Sequence, residues 1–276
     1  MIGKVKLKEV IKEQNILPKK RLGQNFIFDF NILNKIVKNI MPIQGLTIIE
    51  IGPGPGGLTK VILDNSPKEL ILIEKDVAFK KTLEALIKKF PNTKTKLIID
   101  DVLKINLDKL IKNKTKILSN LPYYISSQIL LKVIPLNKFV TEAVFTFQRE
   151  LADRVISESC TKSYSRLSVV VQSVCNVSKK LKLPATVFYP EPAVESCVLK
   201  IEPKTNVIVK DVEILKSVTK KAFNQRRKKI RNSLKKIENI SVYLNELGIN
   251  ENTRAEDISV ELYCELANLI LKKTKI

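Results

Sequence analysis

Residues 46–57 read Leu-Thr-Ile-Ile-Glu-Ile-Gly-Pro-Gly-Pro-Gly-Gly, and this stretch decides the fold. Residues 46–52 form a continuous apolar run, which is typical of a parallel strand covered on both faces. The glycines allow the following turn to approach a ligand closely and to adopt positive φ without a Cβ clash. An amphipathic helix follows through Leu58, Val61 and Ile62. Strand, glycine turn and helix together predict an α/β fold with a ligand at the turn.

The glycine turn could serve a dinucleotide or another nucleoside ligand, and two details distinguish these possibilities. Pro53 and Pro55 remove two amide donors, which makes the turn a poorer cradle for a pyrophosphate. Glu50 precedes Gly52 and gives the string Glu-x-Gly-x-Gly-x-Gly, which resembles the signature of class I S-adenosylmethionine-dependent methyltransferases. That resemblance implies a Rossmann-like sheet with helices on both faces, and a cofactor contact at Gly52.

A carboxylate stands at the end of the second predicted strand, residues 70–73. This residue is Glu74, which lies 22 residues after Gly52. In doubly wound nucleoside sites a carboxylate at this position accepts hydrogen bonds from the ribose hydroxyls. The alternative role for Glu74 is a solvated helix cap. The spacing favours the ribose contact.

The third predicted strand, residues 96–99, is followed by two acidic residues, Asp100 and Asp101. The resemblance to S-adenosylmethionine-dependent methyltransferases implies that an Asp at this place reads the amino group of the cofactor adenine. Alignment on Asp-Val-Leu assigns that role to Asp101. Asp100 stays as the alternative, because a slip of one residue exchanges which carboxylate points inward.

The fourth predicted strand ends in Asn120-Leu121-Pro122-Tyr123. Pro122 ends the strand because it has no N–H to donate. The Asn120 carboxamide oxygen and a nearby main-chain carbonyl can accept both hydrogens of an exocyclic amine. The Tyr123 ring offers a flat face on which a base can stack. The alternative interpretation is a plain strand exit followed by a helix start.

Asn-Leu-Pro-Tyr is similar to the catalytic motif of adenine-N6 methyltransferases, and Leu121 suits the ribosomal RNA adenine dimethyltransferases among them. In that family the Asn, the Leu-Pro backbone and the Tyr form the catalytic motif. The resemblance further implies that Asn25 and the backbone of Ile27 contact the methionine part of S-adenosylmethionine. It also implies that Phe188 faces Tyr123 and that the two rings sandwich the target adenine.

The resemblance covers about residues 15–271. Its other strings are Leu-Gly-Gln-Asn-Phe at 22–26, Tyr-Ser-Arg-Leu-Ser at 164–168 with Ser in place of the family's Gly, Phe-x-Pro-x-Pro-x-Val-x-Ser at 188–196, Ala-Phe-Asn-Gln-Arg-Arg-Lys-Lys-Ile-Arg-Asn-Ser-Leu at 222–234 and Arg-Ala-Glu-Asp-Ile-Ser at 254–259. Residues 169–171 are three valines, which favour a strand by propensity. The family resemblance implies a helix there.

The net charge of +21 predicts a polyanionic partner. Between Lys216 and Lys236 there are ten basic residues and no acidic one. Apolar residues from Val218 to Ile237 predict one amphipathic helix through this stretch. Such a helix could bind a membrane, but the family resemblance favours contact with RNA phosphates. The residues assigned to that contact are Arg226, Arg227, Lys228, Lys229 and Arg231.

Histidine is absent, which excludes Ser-His-Asp and Cys-His hydrolases and histidine-ligated metals. The four cysteines are widely scattered, so we expect neither a zinc site nor a disulfide framework, and no metal cofactor. There is no apolar run of about 18 residues and no apolar signal core. We therefore expect a cytoplasmic protein with no membrane partner.

At 276 residues, the chain fits one large domain and a small one. We predict a methyltransferase domain over residues 1–203, including a basic N-terminal arm, and a helical RNA-binding domain over residues 204–276. The resemblance implies N6,N6-dimethylation of two adjacent adenosines in 16S ribosomal RNA within the immature 30S subunit, by a monomer. The alternatives are a 23S-directed resistance dimethyltransferase, a non-catalytic ribosome assembly factor and a nicotinamide oxidoreductase. Leu121 and the C-terminal strings argue against the first of these.

Overall fold

The computed structural model describes Pro18 and residues 23–274, and the chain divides into two compact units. The first unit extends to Ala152 and takes in Ser178–Glu202. The second comprises Asp153–Val177 and the chain from Pro203 onward. The sequence predicts that residues 153–177 belong to the first domain, whereas in the structure they group with the C-terminal helices. The predicted basic arm and the basic triplet at 19–21 lie outside the described residues.

A seven-stranded sheet forms the centre of the first unit. Its strands are β2 (Thr47–Ile51), β3 (Glu69–Glu74), β4 (Lys94–Ile99), β5 (Thr115–Asn120), β6 (Val140–Gln148), β7 (Cys175–Leu183) and β9 (Ser196–Pro203). Their order is β4-β3-β2-β5-β6-β9-β7. The pairings from β4 to β6 are parallel, and β9 runs antiparallel to β6. A separate two-stranded ribbon pairs β1 (Phe26–Ile27) with β8 (Phe188–Tyr189).

The strands predicted from apolar runs are confirmed. All five residues of β2 are buried, because helices cover both faces of a parallel sheet. Glu50 pairs with Leu72 on one side and Leu118 on the other, so these three side chains project to the same face. The parallel register brings the carboxyl ends of β2, β3, β4 and β5 to one edge of the sheet. Ligand sites of open α/β sheets lie at this edge.

The helices of this part of the chain are α1 (Phe30–Lys38), α2 (Gly57–Asp64), α3 (Lys80–Ile87), α4 (Ser126–Val133) and α5 (Arg149–Ile156). Asp29 caps α1 with a carboxylate that accepts hydrogen bonds from the backbone N–H groups of Asn31 and Ile32. Helix α1 buries Leu33, Ile36 and Val37. Each such side chain contributes roughly 1.5–3 kcal/mol by leaving water. This burial anchors the segment that leads from β1 into the sheet.

The second unit is helical. It contains α6 (Arg166–Val174), α7 (Val212–Asn224), α8 (Ile230–Ser233), α9 (Ile240–Glu246) and α10 (Val260–Thr274). The triple-valine stretch lies in α6, as the family resemblance implies. All three valines are buried there, because α6 packs on α7 and α10. Within residues 23–274 no helix is long and apolar enough to cross a lipid bilayer.

Three aromatic side chains hold residues 153–177 to the C-terminal helices. The Phe223 ring lies 5.9 Å from both the Tyr164 and the Tyr263 ring, centroid to centroid. The Tyr164 hydroxyl donates to the Ile258 carbonyl at 3.0 Å, and the Tyr263 hydroxyl donates to the Ala255 carbonyl at 2.8 Å. Both tyrosines are therefore buried with their polar ends satisfied, which explains why this segment joins the helical unit.

The predicted continuous helix from Val218 to Ile237 is wrong. Helix α7 ends at Asn224, and residues 225–229 form a turn before the short helix α8. Lys229 pairs with Arg254 in an isolated β-bridge, and the N–H of Ile230 donates to the Thr253 carbonyl at 2.7 Å. These contacts with a distant part of the chain replace the bonds that would continue the helix.

Candidate active site

A cleft of about 920 Å³, counting the part open to solvent, lies at the carboxyl edge of the sheet. It is lined by segments 23–27, 50–55, 73–76, 100–102 and 120–122, among others. The structure therefore brings together most of the predicted cofactor and catalytic residues, namely Asn25, Ile27, Gly52, Glu74, Asp101, Asn120, Leu121 and Pro122. Tyr123 and Phe188 lie outside this lining.

The glycine turn has the conformation that its sequence predicts. Gly52 and Gly54 have φ of +68° and +56°, values that residues with a Cβ rarely adopt. A Cβ on Gly54 would lie 2.8 Å from the Phe26 ring, so the turn and the segment before α1 cross in close contact. The glycine backbone therefore sets the shape of the turn, and the Phe26 ring packs against Gly54.

Glu74 fixes this turn from the tip of β3. Its carboxylate accepts a hydrogen bond from the Gly54 N–H at 2.9 Å and another from the Asp76 N–H at 2.7 Å. Burial raises the pKa of Glu74, although these backbone donors lower it. The spacing in the sequence predicts a ribose contact for Glu74. In the structure the same carboxylate lines the cleft and also holds the glycine loop.

Glu50 is a second buried carboxyl group in the cleft, and the sequence predicts no role for it beyond the signature. It accepts a hydrogen bond from the Thr59 hydroxyl at 2.7 Å. Burial raises its pKa to about 8, with a further contribution from the nearby charge of Glu74. Glu50 is therefore largely protonated at neutral pH.

Asp100 and Asp101 both line the cleft, but their surroundings differ. One oxygen of Asp101 lies 2.9 Å from the Lys75 ammonium, and the other accepts the Leu103 N–H at 2.9 Å. The hydrogen bond from Lys75 lowers the pKa of Asp101. Asp100 is exposed and accepts the N–H of its neighbour Asp101. A carboxylate held at both oxygens is the better preorganised reader of an amine, which favours Asp101.

Asn120 lies at the end of β5 with its side chain oriented by a distant backbone group. Its Nδ2 donates to the Asn25 carbonyl at 2.9 Å. A carbonyl only accepts hydrogen bonds, so the amide nitrogen must be the atom that faces Asn25. The carboxamide oxygen is then directed elsewhere and is available to accept from a substrate amine.

Segment 23–27, which we call the strap, is attached to the rest of the unit at several points. Gln24 donates to an Asp76 carboxylate oxygen at 3.1 Å. Gly23 has φ of +55°, and a Cβ there would lie 3.0 Å from the Tyr124 ring. In the ribbon, Ile27 pairs with Phe188. The strap contains the predicted cofactor residues Asn25 and Ile27. It therefore joins the cofactor site to the segment of Tyr123 and to the strand of Phe188.

The rings of Tyr123 and Phe188 are in direct contact with each other. Their centroids are 6.4 Å apart and their planes are inclined at 67°, an edge-to-face contact. The Tyr123 hydroxyl shares a 2.7 Å hydrogen bond with Ser196, and Phe188 is buried. A base stacked between two rings needs them nearly parallel. One ring must therefore turn before a base can enter.

The basic residues of the second unit do not form one uniform surface. Arg226 is half-buried, pairs with Glu256, and donates to the Lys162 carbonyl at 2.6 Å. Arg231 lies 3.6 Å from a Glu251 oxygen. The remaining three predicted RNA contacts, Arg227, Lys228 and Lys229, are exposed in the turn between α7 and α8. We call these three residues the basic turn.

Comparisons with known proteins identify the family of this chain. The ribosomal RNA adenine dimethylase family matches residues 16–272. The ribosomal RNA small subunit methyltransferase A of Ehrlichia canis is 41% identical over 260 residues, which is 92% of this chain and 98% of that protein. The protein of the same name from Blochmanniella pennsylvanica is 38% identical over 266 residues, covering 94% of this chain and 98% of the relative.

Two solved structures share the fold. A dimethyladenosine transferase from Plasmodium falciparum is similar with a TM-score of 0.72 and 23% identity, covering 90% of this chain and 98% of that one. The 23S rRNA methyltransferase ErmE gives a TM-score of 0.64 at 20% identity, covering 89% and 99%. These likenesses confirm the predicted class I methyltransferase fold, and the sequence matches confirm the predicted family. The chain belongs to the ribosomal RNA adenine dimethylase family.

Proposed function

We propose that this protein transfers methyl groups from S-adenosylmethionine to N6 of two adjacent adenosines in 16S ribosomal RNA, within the immature 30S subunit. One observation carries the proposal. The carboxamide of Asn120 stands at the edge of the cofactor-sized cleft with its nitrogen held by the Asn25 carbonyl, so its oxygen is presented to an incoming amine. Family membership and the small-subunit enzymes among the relatives support the substrate.

The donor set of the cleft fits S-adenosylmethionine. Glu74 at the tip of β3 suits the ribose hydroxyls, and Asp101 after β4 suits the adenine amine. Gly52 allows close approach of the backbone, and the strap residues Asn25 and Ile27, which line the same cleft, would hold the methionine part. When bound, this cofactor supplies an activated methyl group on a sulfonium.

Asn120 acts on the amine of the target adenosine. The lone pair of that amine is delocalised into the base, which makes it a poor nucleophile. Acceptance of its hydrogens by the Asn120 oxygen and the Leu121 carbonyl favours a pyramidal nitrogen aimed at the methyl group. The gain comes from positioning and electrostatics. No general base is needed before attack, which suits a chain without histidine, and the proton can leave to water afterwards.

Tyr123 and Phe188 receive the unstacked base. Stacking on aromatic rings stabilises a base by about 1–3 kcal/mol, which offsets part of the cost of removing it from the RNA. The two rings already lie in contact, so a turn of one ring opens the stacking face. Pro122 stiffens the backbone before Tyr123.

The basic turn supplies salt-dependent, sequence-independent attraction to RNA phosphates. Arg227, Lys228 and Lys229 carry this role, because their side chains are exposed. Arg226 instead mainly connects the turn to residues 161–162 through hydrogen bonds to their carbonyls. Its charge is offset by Glu256. We further propose that the protein acts as a monomer in the cytoplasm.

The test is methylation of unmethylated small ribosomal subunits with labelled S-adenosylmethionine, with large subunits in parallel. Digested RNA is analysed by mass spectrometry for N6,N6-dimethyladenosine. Asn120→Ala is compared with Asn34→Ala, the same change at an exposed position on α1. We expect dimethyladenosine on small-subunit RNA only, lost in Asn120→Ala and retained in Asn34→Ala.

Two other outcomes would contradict the proposal. Dimethyladenosine on large-subunit RNA would identify a 23S-directed enzyme. Cofactor binding without methylation of either subunit would identify a non-catalytic assembly factor on the same fold.

A further inference from the structure

The hydroxyl of Thr146 is buried without a hydrogen-bond partner among the described residues. Thr146 lies in β6, and its side chain is fully inaccessible to solvent. Leaving a buried hydroxyl unpaired destabilises a fold. A valine of the same shape would avoid that penalty. An orphaned group of this kind calls for an explanation in function.

Nearby hydroxyl groups are satisfied, which makes Thr146 distinctive. Ser119 donates to the Ile51 carbonyl, Ser126 donates to the Tyr123 carbonyl at 2.9 Å, and Ser196 shares its hydrogen bond with the Tyr123 hydroxyl. These three serine hydroxyls around the catalytic motif are therefore paired within the fold. The Thr146 hydroxyl is available for an interaction that the substrate-free arrangement does not contain.

The register of the sheet places Thr146 beside Asn120. The two residues are direct partners in the parallel pair β5–β6, so their side chains project to the same face. Neighbouring strands lie about 4.8 Å apart. A threonine hydroxyl and a carboxamide on partner residues can span that separation through one rotamer change.

Asn120 offers an acceptor to this hydroxyl. Its nitrogen faces the Asn25 carbonyl, so the donor side of the amide is assigned. The carboxamide oxygen has two lone pairs. One is needed for the target amine, and the second can accept from a neighbouring hydroxyl.

We propose that Thr146 is a positioning residue whose hydroxyl donates to the Asn120 oxygen when the target adenosine is bound. This bond, together with the Asn25 contact, holds the amide plane at both ends. Asn120 then presents one lone pair to the amine in a fixed direction. The inference rests on the proposed methyl transfer and adds a residue that no family motif quoted above contains.

The test compares Thr146→Val, which removes the hydroxyl at nearly constant shape, with Thr146→Ser, which keeps it. Single-turnover methylation of unmethylated small subunits, calorimetric affinity for S-adenosylhomocysteine and the thermal midpoint are measured on the full chain. Because one hydrogen bond contributes about 0.5–1.5 kcal/mol, we expect Thr146→Val to slow methylation by about twofold to tenfold. Its cofactor affinity stays unchanged, and its thermal midpoint equals or exceeds that of the wild type.

Thr146→Ser is expected to keep the wild-type rate within about twofold, because the donor is retained. A Thr146→Val protein that methylates at the wild-type rate would overturn the inference. So would equal slowing in both variants, since that would reflect side-chain volume and not the hydroxyl. A wild-type chain that methylates neither subunit would overturn the proposed function, and this inference with it.

Discussion

The side-chain amide of Asn120 and the backbone carbonyl of Asn25 are joined by a 2.9 Å hydrogen bond across 95 residues of sequence. The bond links the strap to the catalytic motif, so one segment contacts both the predicted cofactor site and the residue that receives the target amine. Orientation of Asn120 thereby depends on correct placement of the strap, and disturbing the strap should impair chemistry more than stability.

Gly23→Ala tests this dependence. Gly23 has φ of +55°, and the added Cβ would lie 3.0 Å from the Tyr124 ring, so the strap must shift away from the catalytic motif. A displacement of about 1 Å can lower a catalytic rate 100-fold, and we expect a fall of at least about tenfold in methylation of small subunits. Gly45→Ala is the matched control, since Gly45 has φ of +74° and its Cβ would meet no described atom within 4 Å.

The two alanine variants should share a backbone penalty of roughly 1–2 kcal/mol, measured by urea unfolding. Only Gly23→Ala should lose activity at a temperature where both are folded. Equal activities in the two variants would show that the strap contact does not position Asn120.

Glu50→Gln should change how stability depends on pH. The pKa of Glu50 is about 8 in the folded chain, against 4.5 for an ordinary Glu. Between those values the folded state keeps a proton that the unfolded state has released, so stability is greatest below pH 4.5 and falls as pH rises to 8. The loss is on the order of 5 kcal/mol at most. Glutamine cannot ionise, and the variant should therefore lack this fall.

Unfolding by urea at pH 5.5 and pH 8.5 measures the effect in the cofactor-free protein. The control is Glu84→Gln, because Glu84 is exposed on α3 and its replacement should leave the wild-type pH dependence intact. If the pH dependence of Glu50→Gln equals that of the wild type, then Glu50 is not the protonated group.

Asp101→Ala should weaken binding of S-adenosylhomocysteine by about 10-fold to 100-fold, because a hydrogen bond to a charged group contributes roughly 1.5–3 kcal/mol. Asp100→Ala is the matched control and should have a much smaller effect, since Asp100 is exposed. Calorimetry with S-inosylhomocysteine, which lacks the adenine amine, should show little difference between wild type and Asp101→Ala. A larger loss in Asp100→Ala would reverse the assignment.

Replacing the basic turn with glutamines should weaken RNA binding in a salt-dependent manner. Each lost phosphate contact lowers the slope of log affinity against log salt by about 0.7–0.9, so the triple variant should lose about two to three in total. Filter binding of small subunits across a salt series measures this slope. Arg226→Gln is the control. It should mainly reduce thermal stability, because Arg226 pairs with Glu256. An unchanged slope in the triple variant would place the RNA surface elsewhere.

Much of the site was predictable because its residues follow local patterns. Gly52, Glu74 and Asp101 each stand at the end of a predicted strand. Because parallel strands end at the same edge of a sheet, the sequence predicts that these residues lie together at that edge. Helix α7 was predicted too long because its end is set by contacts with residues 253–254, which a periodic pattern does not contain. The pairing of Arg226 with Glu256 could not be predicted either, because the two residues are distant in sequence. Thr146 could not be found either, because its position beside Asn120 depends on strand register.

The edge-to-face contact of Tyr123 and Phe188 has a consequence for substrate size. Admitting a base breaks a ring contact worth about 0.5–1.5 kcal/mol and also disturbs the hydrogen bond of Tyr123 with Ser196. Stacking returns about 1–3 kcal/mol. These amounts nearly cancel, so a free nucleoside gains little by entering. A large folded RNA, by contrast, supplies binding energy at many phosphates remote from the rings. We therefore expect the closed aromatic pair to disfavour small adenine compounds and to open for the same base when a large RNA delivers it.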